Sequence, residues 1–201
     1  IRWRDVAMLR ALARYIKQIR FGFSQDYIAQ TLLNHATIVK DLVDLFTNRF
    51  HPDFSISLEA QQNRIDDILK RLDDVSNLNE DRIIRKYVEL IMATLRTNYY
   101  QIQDDALPHS YMSFKFDHEK ITDIPLPKLA FEIFVYSPDL EGVHLRGGKV
   151  ARGGLRWSDR LEDFRTEVLG LVKAQQVKNA VIVPVGAKGG FVAKKLTQSM
   201  S

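Results

Sequence analysis

The 201 residues hold 45% apolar and 27% charged side chains, the balance of a chain that buries a core, which excludes disorder, collagen and a coiled coil as the whole answer. The absence of cysteine removes a disulfide framework, a thiolate nucleophile and a Cys-based zinc site together. A net charge of +4, from 29 basic and 25 acidic residues that interleave along the chain, is too small a surplus to indicate nucleic acid.

The chain opens on Ile1 to Arg10, where Arg alternates with apolar residues and no cleavage-site pattern follows, so it does not read as a secretory signal. A start at Ile1 rather than Met reads as a piece of a longer chain; the lack of a signal pattern and of cysteine makes the expected setting cytoplasmic. Val6, Leu9, Ala13 and Ile16 recur at three- and four-residue steps and line one face of a first helix. Gly22 and Ser24 end it and cap the next. Ile38, Leu42, Leu45 and Phe46 continue the helical pattern to His51-Pro52. Ser57 starts a helix carrying Ile65, Ile68, Leu69, Leu72 and Val75. After a break at Ser76 to Asn79, with Asn79 as the N-cap, the stripe Ile84, Val88, Ile91, Leu95 and Tyr99 forms the last long helix.

Nine of the ten glycines lie after position 141 and five of the six prolines after position 100, so the character of the chain changes near Leu107-Pro108. Residues 1–106 read as a helical region and 107–201 as an α/β region, an α+β or α/β chain whose mixed sheet carries helices. Strands are expected at Tyr111 to Phe116, Phe131 to Tyr136, Val143 to Arg146 and Gly153 to Trp157. Leu161 to Val177 is a helix with Phe164, Val168, Leu171 and Val172 as its stripe. Ala180 to Pro184 is an apolar run of buried-strand type. No run of about 18 apolar residues occurs, so no membrane span is expected. The five histidines are scattered, and no metal site is expected.

Three features of the second region could carry chemistry. The segment from Arg146 to Trp157 sets the pairs Gly147-Gly148 and Gly153-Gly154 among cations. Its backbone N–H groups could hold an anion; a hairpin loop with solvated Arg and Lys has the same composition. Gln175 and Lys178 are three apart on one helix face, an amide donor beside an ammonium, suited to one carboxylate; an exposed lysine at a helix C-terminus is the plain alternative. Lys188 lies in V-G-A-K-G-G after the apolar run, where open α/β sheets place their sites. A lysine held among other cations and partly desolvated loses preference for its protonated form, as a general acid/base requires. The alternative is a tight turn with an exposed lysine. It is not a P-loop, since Gly189 follows Lys188.

Their order is more specific than any of them alone. The segment from Arg152 to Phe191, R-G-G-L-R-W-S-D-R onward through V-K-N-A-V-I-V-P-V-G-A-K-G-G-F, resembles the substrate domain of the large NAD-specific glutamate dehydrogenases, and Phe131 to Arg146 extends the likeness. The resemblance implies that Lys188 is the catalytic lysine, that Lys178 and Gln175 hold the substrate α-carboxylate, and that Arg152, with Gly153 and Gly154, serves the side-chain carboxylate. Arg152 replaces the lysine of the smaller enzymes, and one glycine fewer precedes Lys188, so the local turn is not assumed identical.

The resemblance further implies NAD-dependent oxidative deamination of L-glutamate to 2-oxoglutarate and ammonium by a homo-oligomeric parent protein. No G-x-G-x-x-G occurs here. NAD is therefore expected on a domain absent from this chain, a catalytic Asp is expected beyond Ser201, and the 201 residues alone are expected to be inactive. A carboxylate-binding module without catalysis, or a helical interaction domain, would share most of these features.

Overall fold

The computed structural model describes residues 1–53, 56–104, 106–149, 151–178 and 186–195, with 176–178 described by their backbone alone. Five helices come first: α1 (Trp3–Gln18), α2 (Gln25–Asn34), α3 (Ala36–Phe50), α4 (Leu58–Leu72) and α5 (Leu78–Ala93). The strands β1 (Thr94–Thr97), β2 (Met112–Asp117), β3 (Phe131–Tyr136), β4 (Leu140–Arg146), β5 (Leu155–Trp157) and β6 (Ala187–Ala193) form one sheet, with α6 (Phe164–Lys178) between β5 and β6.

The expected caps at Ser24 and Ser57 are present, each hydroxyl accepting from the backbone N–H three residues on. In α1, Leu9, Ala13 and Ile16 are buried as their spacing requires, whereas Val6 is 47% exposed. The N-cap of α5 is Asn77, not Asn79: the Asn77 side chain accepts from Asn79 N at 3.0 Å, so Asn79 already lies in the first turn. The α5 stripe also ends early. Thr94 leaves helical geometry, its Oγ1 donating to Leu90 O at 2.7 Å, and the chain runs on as β1, placing Leu95 in a strand and Tyr99 beyond it.

The strand order is β1-β2-β3-β4-β6-β5. All neighbours are antiparallel except β5 and β6, which are parallel and joined through α6. Register places Phe116, Glu132, Leu145 and Lys188 in one cross-strand row, and Phe114, Phe134, Val143 and Gly190 in the next. Since side chains alternate across a sheet, these residues share one face, and it is the face the helices cover. The Tyr15 ring of α1 stacks on Phe116 with centroids 4.4 Å apart, and α6 lies over Gly190. Helix α5 closes the layer beneath, Tyr87 donating to Leu9 O at 3.1 Å. One hydrophobic core runs through helices and sheet, so β1 and α1, from the helical region, are built into the second half of the molecule.

The turn expected around Lys188 is a strand. Gly189 N donates to Gly154 O at 3.0 Å and Ala187 N to Arg152 O at 3.1 Å, which extends pairing along β6 instead of reversing the chain. The glycines serve close approach. A Cβ on Gly190 would stand 2.4 Å from Val168 Cγ2 of α6, and one on Gly189 would stand 2.7 Å from Leu155 Cδ1. The strand expected at Ala180 to Pro184 lies outside the described residues.

Candidate active site

Lys188 is the second residue of β6 and shares the helix-covered face with Gly190 and Val192. Facing it is the C-terminal half of α6, whose Val168 one turn earlier packs close over Gly190. Between them lies a cleft of about 490 Å³, lined by Gly154, Arg156, Leu171, Ala174, Gln175 and Lys188 among others. Three of the residues read from the sequence, Gly154, Gln175 and Lys188, thus meet in one cleft.

The other three stand differently. Gly153 seats the loop: a Cβ there would lie 1.5 Å from Ala187 O, so no other residue lets this segment run along β6. Arg152 is exposed and held through its carbonyl, and it is not part of the cleft lining. Lys178 is the last residue of α6, three positions past Gln175, and its side chain is outside the described residues.

Gln175 is fixed tightly. A Cβ on Gly186 would stand 2.1 Å from its Nε2, so Gly186 makes room for the amide. The Gln175 Oε1 atom is buried and has no hydrogen-bond partner among the described residues. Its amide offers an acceptor to an ammonium and a donor to a carboxylate, the two groups that every α-amino acid carries side by side.

Arg156 was read only as one cation of the Arg146 to Trp157 segment, with no role of its own, and Ser158 and Glu167 escaped the sequence reading. Ser158 Oγ donates to Glu167 Oε2 at 2.6 Å, and Arg156 Nε approaches Glu167 Oε1 to 3.6 Å. The signal was available: in R-G-G-L-R-W the second arginine falls on a strand position of the same parity as Lys188. On the opposite sheet face, His144 is paired with Gly189, and burial, then the nearby Arg146 charge, pushes its pKa below the ordinary histidine value.

The glycines around β5 and β6 are not arranged as a dinucleotide cradle. A dinucleotide pyrophosphate needs glycines whose open side faces the ligand at a strand–helix turn. Here Gly153, Gly189 and Gly190 are closed by Ala187, Leu155 and Val168, and of the glycines in this region of β5 and β6 Gly154 is the one that faces open space.

A family model described as bacterial NAD-glutamate dehydrogenase, catalytic domain, matches residues 67–201. The chain belongs to this family. A second model, glutamate dehydrogenase helical motif 3, matches residues 1–52. The NAD-specific glutamate dehydrogenase of Halomonas elongata is 62% identical over 98% of the chain, and that of Pseudomonas aeruginosa is 62% identical over 96%. The Mycobacterium tuberculosis protein of the same name is 52% identical over 96% of the chain. The chain spans 12% of the length of each of these three relatives. Among the described residues no helix is long and apolar enough to cross a membrane, and no group of acidic residues and histidines could hold a metal ion.

Proposed function

We propose that this chain carries the glutamate-binding part of an NAD-dependent glutamate dehydrogenase, which converts L-glutamate, water and NAD⁺ to 2-oxoglutarate, ammonium and NADH. The observation that carries the reading is the meeting of Lys188 and Gln175 across one cleft; the sequence resemblance is what assigns them the catalytic and α-carboxylate roles. When bound, NAD supplies the hydride acceptor, and we place its site outside the described residues.

The chain's own residues bind, orient and move protons. Lys178 and the Gln175 amide N–H hold the α-carboxylate, while Gln175 Oε1 accepts a hydrogen bond from the α-ammonium. Arg152 attracts the side-chain carboxylate from the loop before β5. A substrate so held presents its Cα to Lys188. Once the α-ammonium has given up one proton, hydride loss leaves an iminium carbon at Cα. Lys188 takes a proton from the water that adds to it and then returns a proton to the nitrogen, so that ammonia leaves the carbinolamine as its carbonyl forms.

The same reading makes the parent protein a cytoplasmic homo-oligomer and the 201 residues alone inactive, because hydride transfer needs the nicotinamide held against the substrate Cα. The experiment is glutamate-dependent NADH formation by the whole protein. Saturable turnover supports the reading, and a folded protein that reduces no NAD with glutamate overturns it.

A further inference from the structure

Arg156 is the middle residue of β5 and is paired with Gly190, so it projects from the same sheet face as Lys188, two residues earlier on the neighbouring strand. Diagonal neighbours on a pleated sheet lie about 7–8 Å apart, within joint reach of two long side chains. Both line the cleft, with Gln175 opposite on α6. The Arg156 side chain is 62% exposed and leans toward Glu167, but 3.6 Å is longer than a hydrogen bond. The shorter contact of Glu167 is with the Ser158 hydroxyl. The carboxylate of Glu167 is therefore anchored from the strand side, and it steadies the guanidinium without using up its donors. A planar fork of this kind takes a carboxylate by two parallel hydrogen bonds, which a lysine cannot do.

We propose that Arg156 determines specificity in this cleft. Its guanidinium takes the distal carboxylate of a dicarboxylic ligand whose α-substituents meet Gln175 and Lys188. Glu167 is the competing anion that holds Arg156 in place when the cleft is empty. The two arginines then act on one carboxylate, Arg156 from the strand and Arg152 from the loop before it. This deepens the glutamate reading and rests on it for the identity of the ligand.

The test uses the whole protein and two readouts. Calorimetry measures binding of glutarate, a dicarboxylate without an amino group, to the wild type, Arg156→Gln, Arg156→Lys and Glu167→Gln. Turnover compares glutamate with norvaline, which has no distal carboxylate. Arg156→Gln is expected to weaken glutarate about tenfold or more and to cut selectivity for glutamate over norvaline by a similar factor, the scale of a lost charge-assisted hydrogen bond. Arg156→Lys retains part of both. Glu167→Gln tightens glutarate, because the competing charge is gone; a merely structural ion pair would give no tightening. Wild-type affinity and selectivity in Arg156→Gln overturn the inference, as does weakening in Glu167→Gln equal to that in Arg156→Gln. If the wild type reduces no NAD with glutamate, the glutamate reading falls, while the glutarate series still decides the role of Arg156.

Discussion

Arg165 of α6 and Glu132 of β3 face each other as a bidentate pair, Nε to Oε1 2.9 Å and Nη2 to Oε2 2.8 Å, both fully buried. Two more groups converge on the same carboxylate. Tyr15 of α1 donates to it at 3.0 Å. His118 Nδ1 accepts from Leu129 N, so Nε2 carries the proton given to Glu132 at 2.5 Å. The pair fastens α6 to the sheet near its first turn, and the rigid helix then carries Gln175 to β6. Removing one member strands a buried charge. Arg165→Met and Glu132→Gln are each expected to lose about 3–5 kcal/mol of stability in urea denaturation. An apolar double replacement should cost less than the sum of the two. Losses near zero would show that the pair does not hold α6.

Acid should loosen the same junction. Burial alone would raise the Glu132 pKa, but the Arg165 charge and the His118 hydrogen bond outweigh it and hold it at about 2. Its folded value therefore lies below the roughly 4.3 of an unfolded glutamate. The stability this contributes is complete above that value and is lost as pH falls from about 4.5 toward 2. Thermal denaturation from pH 6 to about 3 should show a steep acid limb in the wild type and a shallower one in Glu132→Gln. Identical limbs would contradict the assignment.

The glycines around Lys188 make separable predictions. Gly190→Ala sets a methyl against Val168 Cγ2, and overpacking of this kind costs about 1–3 kcal/mol. Adding Val168→Ala should recover part of the loss left by the first change. Gly153→Ala meets the Ala187 carbonyl itself and should detach the 152–154 segment from β6. Gly154→Ala meets nothing and should stay within about 0.5 kcal/mol of the wild type by thermal denaturation.

Much of the helical half was legible because its apolar spacing and its caps agree: Ser24, Ser57 and the stripe of Ile38, Leu42, Leu45 and Phe46 all stand where their spacing puts them. The end of α5 was hidden, since Leu95 and Tyr99 keep helical spacing past the Thr94 hydroxyl that closes the helix. At Lys188 two glycines read as a turn, although glycine inside a strand also marks close approach of a neighbour, here Val168 and Leu155. Arg165 and Glu132 gave no sequence signal at all. A buried pair 33 residues apart looks, residue by residue, like two surface charges.

The division of labour between the carboxylate ligands has its own signature. Lys178→Ala and Arg152→Ala should each weaken substrate use by about 1.5–3 kcal/mol in kcat/KM. Lys178→Ala should affect all amino acids alike, because each has an α-carboxylate. Arg152→Ala should affect glutamate more than amino acids with neutral side chains. Equal selectivity in the two variants would contradict the assignment.

Everything proposed for the cleft turns on Lys188, and steady-state kinetics of Lys188→Ala in the whole protein tests it most directly. Loss of a positioned acid/base group lowers kcat by roughly 10²–10⁴-fold. The expected result is a fall of that size with a smaller change in the KM for glutamate, and with thermal stability retained because Lys188 is only partly buried. A folded Lys188→Ala protein that keeps near wild-type kcat would contradict the account.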